Sequence, residues 1–122
     1  MIVNYLNSKH SQRSDYMLYR EILEFKTEVG LKINVTKQIK ELVKRCGIRE
    51  GLCNVFCTGT TYGVVLNEDD TMLIKDMEKL WEKLASETKL YQHPSNAYSH
   101  LRAMFTLQTI TLPISNSKLI LG

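Results

Sequence analysis

A short corner rich in hydroxyl groups is the stretch of this sequence best suited to chemistry. Two apolar runs, 52–58 and 62–66, are separated by Gly59, Thr60 and Thr61. Apolar, β-branched runs of this length are typical of buried strands, so we expect two strands to meet here. Glycine lets backbone N–H groups approach a ligand closely. The corner is therefore a candidate site for a small anion, and the alternative is an ordinary connection, because threonine is common in strands.

The composition places the chain among ordinary globular proteins. Its 122 residues predict a single domain, and 43% hydrophobic and 24% charged residues are average values. The net charge of +3 is too small to indicate nucleic-acid binding, and no basic stripe is interleaved with aromatic residues. We therefore expect no nucleic-acid partner.

Cysteine usage and hydropathy suggest the compartment. Cys46, Cys53 and Cys57 form no Cys-x-x-Cys pair, so we expect reduced core residues. No apolar run approaches the roughly 18 residues of a membrane span, and residues 1–15 contain no apolar leader region. The expected location is the cytoplasm, with no membrane partner.

The N-terminal third is the least determined part of the chain. Residues 1–15 are polar and aperiodic, which predicts a flexible arm or a segment ordered only by a neighbour, with a solvated His10. Residues 16–122 then form the single domain. Residues 16–35 fit two solutions. One is a helix followed by a strand, and the other is a hairpin turning near residues 29–30.

Two helices are predicted more clearly. The first spans 36–46, with Thr36 as N-cap and Gly47 closing it. The second opens at residues 69–70 and runs to about residue 85. We expect its apolar stripe to be core; the stripe consists of Leu73, Met77, Leu80, Trp81 and Leu84.

The C-terminal region predicts a loop and two strands. Residues 88–99 form the loop, and residues 104–114 form a strand with Ile110, Leu112 and Ile114 on one face. A turn at 115–117 leads to a last strand at 118–121. Strands outnumber helices, and the helices do not separate every strand, so the predicted class is α+β with a mostly antiparallel sheet.

Several of these segments together resemble a known family. They are Thr60-Thr61, Asn67-Glu68, Tyr91-x-His93, the Asn-Ala-Tyr-Ser-His-Leu-Arg-Ala run at 96–103, and Pro113-Ile114 with Leu119-Ile120-Leu121-Gly122. In order and spacing they resemble the YjbQ family over about residues 18–122. The resemblance implies a layered, sandwich-like sheet with two main helices, and it favours strands in the 18–35 region. It also implies a homotrimer with pockets near the subunit boundaries.

The family is associated with a secondary thiamine-phosphate synthase activity, which joins a pyrimidine diphosphate to a thiazole phosphate. Such chemistry requires the departing diphosphate charge to be neutralised, usually with Mg²⁺ and cationic or N–H donors. The resemblance implies Mg²⁺ as cofactor if the family activity is retained. It implies His100 as the catalytic residue. It implies ligand binding by Thr60, Thr61, Asn67, Glu68, His93 and Asn96.

Departures from the family pattern reduce the expected activity. Gly59 and Tyr98 stand where the family has histidines, and the loop after His93 is short. Two histidines without further ligands at suitable spacing predict no metal site. His100 is then either a structural histidine or a general acid/base.

These observations leave three hypotheses, of which one, a metal-assisted hydrolase or transferase, is disfavoured by Gly59 and Tyr98. We expect a YjbQ-like protein with at most weak synthase activity, or a non-catalytic small-ligand-binding or assembly protein on the same trimeric scaffold, the ligand being phosphorylated. The short apolar strand at 118–121 predicts an oligomer with residues 105–121 at or near the interface, because an open apolar sheet edge invites pairing.

Overall fold

An antiparallel sheet with helices around it makes up the described part of the chain. The computed structural model describes residues 1–8, 16–26 and 32–122, except for the side chains of residues 2–8 and 16. Among these residues there are five strands and three helices. Their bounds are β1 Ile2–Ser8, β2 Tyr16–Ile22, α1 Thr36–Arg45, β3 Gly51–Phe56, α2 Thr71–Leu84, α3 Ala97–Ala103, β4 Thr109–Ser115 and β5 Lys118–Leu119.

The strand order is β2-β1-β3-β4-β5, and each neighbouring pair is antiparallel. The predicted α+β class with an antiparallel sheet is therefore confirmed. One difference is α3, since the sequence indicated only a short turn after His100. The β4–β5 hairpin turns through Asn116 and Ser117, whose φ angles are 50° and 61°. Two consecutive residues with positive φ are typical of the tight turn that matches strand twist.

The core lies between α1 and one face of the sheet. Ile39, Leu42 and Val43 recur at helical spacing, and each is at most 4% exposed. They belong to one buried cluster with residues of the inner sheet face, which include Cys53, Val55, Leu112, Ile114 and Leu119. The predicted alternation of β4 is confirmed, because Leu112 and Ile114 are buried whereas Thr109 and Thr111 are exposed. Cys46, Cys53 and Cys57 are buried and are not joined by disulfides, as expected.

The start of α1 differs from the prediction. Val35, not Thr36, occupies the N-cap position, and no side-chain hydrogen bond is made from that position. Instead, Asn34 Oδ1 accepts a hydrogen bond from the Thr36 backbone N–H at 3.0 Å. An asparagine can satisfy a helix-start donor in this way from just outside the helix. Gly47 does follow the helix with φ of +74°, as its C-terminal position predicted.

The expected flexible arm is wrong for residues 2–8. These residues form β1, which pairs with β2 on one side and with β3 on the other. Strand formation here follows from backbone pairing on both sides, whereas the local sequence is aperiodic. Residues 9–15, with His10, lie outside the described residues, so the rest of the expected arm stays a prediction.

The ambiguous region 16–35 is resolved only in part. Residues 16–22 form a strand, which contradicts the helical alternative and agrees with the family resemblance. Residues 32–35 are irregular, so the strand that both solutions and the family resemblance predicted there is absent. The predicted turn at residues 29–30 lies outside the described residues.

Three further strand predictions are wrong in extent. The last strand, predicted at 118–121, spans only Lys118–Leu119. Residues 62–66 form no strand, and their ladder is reduced to a single bridge between Val64 and Leu107. Apart from Leu107, residues 104–108 are turns and bends, and the strand begins only at Thr109. Just beyond β3, the Cys57 N–H still donates to the Gln108 carbonyl at 2.9 Å. The Gln108 side-chain amide also donates to the carbonyl groups of Cys57 and Gly59.

Helix α2 is attached to the rest of the chain through a half-covered face. The helix begins where the sequence predicted, and Asp70 caps it: its side chain accepts hydrogen bonds from the N–H groups of Met72 and Leu73 at 2.9 and 2.8 Å. The expectation that its apolar stripe is core is wrong. No α2 residue is buried, and Leu80 and Leu84 are 54% and 46% exposed. The helix lies over a cavity instead of a packed core.

Candidate functional site

A cavity of about 470 Å³ lies beneath α2. Its walls are the irregular segment 32–36, the segment 61–69, one face of α2 and one face of α3. Its apolar lining includes Ile33, Val35, Val64, Val65, Leu66, Ile74, Met77 and Trp81. Its polar lining includes Lys32, Asn34, Thr61, Asn67, Glu68, Asp69, Tyr98, Ser99, Arg102 and Thr106. This volume falls in the range of small-molecule sites, which combine mostly apolar walls with a few polar groups.

Gly63 fixes the segment 61–69 against the rest of the chain. A Cβ at this position would lie 1.7 Å from Thr106 Oγ1 and 2.4 Å from Thr106 Cβ, so only glycine fits. Directly after it, Val64 and Leu107 exchange two backbone hydrogen bonds of 2.7 and 3.1 Å. The threonine corner and the cavity wall therefore depend on this close approach.

The structure brings three of the predicted ligand-binding residues to the cavity. Thr61, Asn67 and Glu68 line it, whereas Thr60 is exposed and does not. Asn67 Oδ1 accepts a hydrogen bond from the Glu68 backbone N–H at 2.9 Å, which orders this end of the segment. The threonine corner thus contributes one of its two hydroxyls to the cavity.

The other predicted residues form a separate cluster at the start of α3. His93 Nε2 lies 3.1 Å from Asn96 Oδ1, and the rings of His93 and His100 meet edge to face with centroids 5.2 Å apart. None of these three residues lines the cavity. Tyr98, Ser99 and Arg102 occupy the cavity face of α3 instead, because residues three and four apart share one side of a helix. The expected site is therefore split into two groups.

Two cations at the cavity, Lys32 and Arg102, were missed by the sequence reasoning. Lys32 Nζ lies 2.5 Å from Glu78 Oε1 and 5.7 Å from the Trp81 ring centroid. Arg102 Nη2 lies 2.7 Å from Glu82 Oε2, and its Cζ lies 5.2 Å from the Tyr98 ring centroid. Sequence offered a partial signal for Arg102, which belongs to the 96–103 run, but none for Lys32.

Each of the two cations helps to lower the pKa of the glutamate that it contacts. The hydrogen bond from Lys32 lowers the pKa of Glu78. The Ser86 hydroxyl donates to Glu82 and lowers the pKa of that carboxyl, and Arg102 adds to the effect. Arg102 Nε also donates to the carbonyl of Ala85 at 2.9 Å, directly after α2. Helix α2 is thus joined by charged contacts to segment 32–36 and to α3.

The chemistry available to metals and thiols is limited. In the part of the chain that the structure describes, no group of three or more His, Cys, Asp or Glu residues is arranged to hold a metal ion. Mg²⁺ that binds together with a phosphate ester needs only one or two protein carboxylates, and Glu68 and Asp69 at the cavity fit that requirement.

Burial raises the pKa of the Cys57 thiol, which disfavours a nucleophilic thiolate. No helix among residues 1–8, 16–26 and 32–122 has the length and apolar character needed to cross a membrane.

Comparisons with known proteins relate the whole arrangement to one family. Residues 21–122 match the family described as UPF0047 protein YjbQ-like. A UPF0047 protein of Methanothermobacter thermautotrophicus is 30% identical over 109 residues, covering 86% of this chain and 76% of that protein. A UPF0047 protein of Archaeoglobus fulgidus is 34% identical over 93 residues, covering 74% and 71%.

Solved structures agree with the sequence relatives. A YbjQ-like protein of unknown function from Sulfolobus solfataricus superimposes with a TM-score of 0.69 at 27% identity, covering 74% of this chain and 67% of that one. An uncharacterised YjbQ/UPF0047 protein from Clostridium acetobutylicum gives a TM-score of 0.69 at 30% identity, covering 74% and 71%. The match therefore extends from sequence to three-dimensional fold, and the chain belongs to the UPF0047, YjbQ-like family.

Proposed function

We propose that this protein binds a small phosphorylated ligand in the cavity beneath α2, and that it has at most weak thiamine-phosphate synthase activity. One observation carries the proposal: the cavity collects Thr61, Asn67 and Glu68 together with two cationic side chains, while the histidines lie elsewhere. The donors and cations that bind a phosphorylated compound are therefore concentrated at the cavity, and the histidine that the family resemblance implies as the catalytic residue is not.

The lining suits an organic phosphate better than a bare ion. Apolar and aromatic side chains, including Trp81 and Tyr98, provide a surface for a flat or apolar body. The Thr61 hydroxyl, the Asn67 amide and the two cations provide donors for a phosphate group. A ligand with one apolar end and one anionic end matches both parts of the wall.

Weak catalysis follows from the position of His100. In the synthase reaction a pyrimidine diphosphate loses pyrophosphate, and a general acid or base must lie within hydrogen-bond reach of the reacting groups. His100 does not line the cavity, and Gly59 and Tyr98 replace two family histidines. Loss of one positioned acid/base group typically lowers the rate about 10²–10⁴-fold.

A direct assay tests this part of the proposal. The purified chain is incubated with the pyrimidine diphosphate, the thiazole phosphate and Mg²⁺, beside a relative whose corner histidine is intact. We expect product formation to be absent or at least about 100-fold slower than in the relative. Turnover at the rate of the relative would refute weak catalysis. Loss of residual activity in His100→Ala, with the fold unchanged, would assign a chemical role to His100.

Binding is tested separately from turnover, with adjacent threonines as matched variants. Trp81 is the single tryptophan of the chain and lines the cavity, so its fluorescence reports on ligand entry. We expect phenyl phosphate to change this fluorescence saturably, with Thr61→Val weakening the affinity about 10- to 150-fold, the value of one hydrogen bond to a charged group. Thr60→Val serves as the control because Thr60 does not line the cavity. Equal effects of the two substitutions, or no saturable change, would contradict the proposal.

We also propose that the protein assembles with itself, as a trimer by resemblance to its family. The support is the sheet face opposite α1, where Leu18, Ile22 and Leu52 are 63%, 59% and 47% exposed. Phe105 and Ile120, within the region 105–121, are also exposed. Large apolar side chains exposed in this number are the kind of surface that subunit contacts cover. A stable monomer in light scattering at micromolar concentration would contradict the assembly.

A further inference from the structure

We propose that Lys32 and Arg102 are the residues that bind the anionic group of the ligand, and that Glu78 and Glu82 of α2 compete with the ligand for them. In this arrangement an anion binds by exchange: each cation leaves its glutamate and pairs with the ligand. The inference rests on the proposed function, since it concerns the same cavity, and it adds the binding residues and their regulation by α2.

The first support is that, in each of the two ion pairs, the cation is much less exposed to solvent than the glutamate. The side chains of Lys32 and Arg102 are only 21% and 16% exposed, whereas those of Glu78 and Glu82 are 55% and 52% exposed. In the ordinary surface pair of the same helix, Lys79 with Asp76, both side chains are at least 70% exposed. The two cations are therefore held at the cavity wall, and the glutamates reach them from the solvent side.

The spacing of the glutamates is the second support. Glu78 and Glu82 are four residues apart on α2, which places them on the same side of the helix with their Cβ atoms about 5–6 Å apart. Trp81 lies between them in sequence and lines the cavity. Two cations from separate segments of the chain, 32–36 and α3, thus converge on one stretch of the wall beside an aromatic ring.

The weak attachment of α2 is the third support. No residue of α2 is buried, so little packing opposes a small displacement of the helix. A phosphate group offers charge-assisted hydrogen bonds that are stronger than a half-exposed ion pair. Exchange of the glutamates for the ligand is then favourable, and it loosens α2 from segment 32–36 and from α3.

Substitution of the glutamates gives an expected result that a purely structural ion pair would not give. The affinity for phenyl phosphate is measured by Trp81 fluorescence and by thermal stabilisation. Glu78→Gln removes the competitor, so we expect the affinity to rise about 2- to 5-fold while the melting temperature of the unliganded protein falls slightly. Glu41→Gln on α1 makes the same charge change away from the cavity and should leave the affinity unchanged.

Substitution of the cation should act in the opposite direction. Lys32→Met keeps most of the side-chain length and should weaken binding about 10-fold, whereas Lys79→Met should have no effect because Lys79 does not line the cavity. Lys32→Arg keeps the charge and should retain most of the affinity, which separates loss of charge from loss of folding.

The outcomes distinguish the two proposals. Saturable binding by the unsubstituted protein, with Glu78→Gln unchanged or weaker, would overturn the exchange and leave the proposed ligand site standing. Equal binding by Lys32→Met would also overturn the exchange. No binding of phenyl phosphate by the unsubstituted protein would overturn both proposals. Tighter binding by Glu78→Gln together with weaker binding by Lys32→Met supports the exchange.

Discussion

Substitution of Gly63 by alanine should both destabilise the protein and distort its cavity. The added Cβ would lie 2.4 Å from Thr106 Cβ, whereas ordinary contacts begin near 3.4 Å, so the segment 61–69 must move by about 1 Å. Rotation of the threonine side chain cannot relieve this contact, because Cβ is fixed by the backbone. The displacement breaks the two backbone hydrogen bonds between Val64 and Leu107.

The magnitude follows from those two hydrogen bonds. At about 0.5–1.5 kcal/mol each, their loss lowers the free energy of unfolding by about 1–3 kcal/mol, which is also the usual cost of overpacking. For a chain of this size, that corresponds to a fall in melting temperature of roughly 4–12 °C. Calorimetry measures the stability, and Trp81 fluorescence measures the affinity for phenyl phosphate, which should fall because Gly63 lines the cavity.

Gly47→Ala provides a matched control. No atom lies within 4 Å of the added Cβ, but φ at this position is +74°, so the cost of about 1–2 kcal/mol arises from backbone strain alone. We expect Gly47→Ala to lower the melting temperature without changing the affinity. In the Gly63→Ala background, Thr106→Gly should restore part of the lost stability, because it removes the two nearest atoms. An unchanged melting temperature and affinity in Gly63→Ala would refute the reasoning.

Three further predictions concern a helix cap, a thiol and acid stability. Asp70→Ala removes the acceptor for two N–H groups of α2, so the free energy of unfolding in urea should fall by about 0.5–2 kcal/mol. Asp70→Asn keeps an acceptor oxygen and should retain most of the stability; equal losses in the two variants would argue against the cap. Because burial raises the pKa of Cys57, its alkylation should be slow in the folded state, and stability should decline above the unfolded thiol pKa of about 8.5; rapid labelling at native pH would contradict this. The pKa values of Glu78 and Glu82 are lowered in the folded state. Their stabilising contribution is therefore present above the unfolded pKa of about 4.3 and is lost as the pH falls through the folded pKa values. In the double variant Glu78→Gln/Glu82→Gln, the free energy of unfolding should not show this loss on acid titration.

Elements with local signals were predictable from the sequence. Helix α1 follows from its apolar spacing and Gly47, and α2 begins where Asp70 predicts. Strand β1 was not predictable, because its pairing with β2 and β3 depends on distant residues and its own sequence is aperiodic. Residues 62–66 resemble a strand locally, but in the described structure their pairing is a single bridge from Val64 to the distant Leu107, which the local sequence does not indicate.

The candidate site was predictable only where its residues are close in sequence. Thr61, Asn67 and Glu68 lie on one segment and reach the cavity together. His100 was assigned to the same site, but its direction depends on the rotation of α3, which the sequence does not determine. Lys32 belongs to an irregular segment, and only the tertiary fold brings it to Trp81 and Glu78.

The most direct test of the central claim is a nuclear magnetic resonance titration of the isotope-labelled protein with phenyl phosphate. A ligand in the cavity should shift the backbone amides of residues 61–68 and 32–36 and the indole N–H of Trp81, all of which lie at its walls. The exposed sheet face around Leu18 and Leu52 should be unaffected. Saturable shifts confined to the cavity walls are the result that we predict. Shifts confined to the His93–Asn96 loop or to the exposed sheet face, or no saturable shifts, would contradict the account.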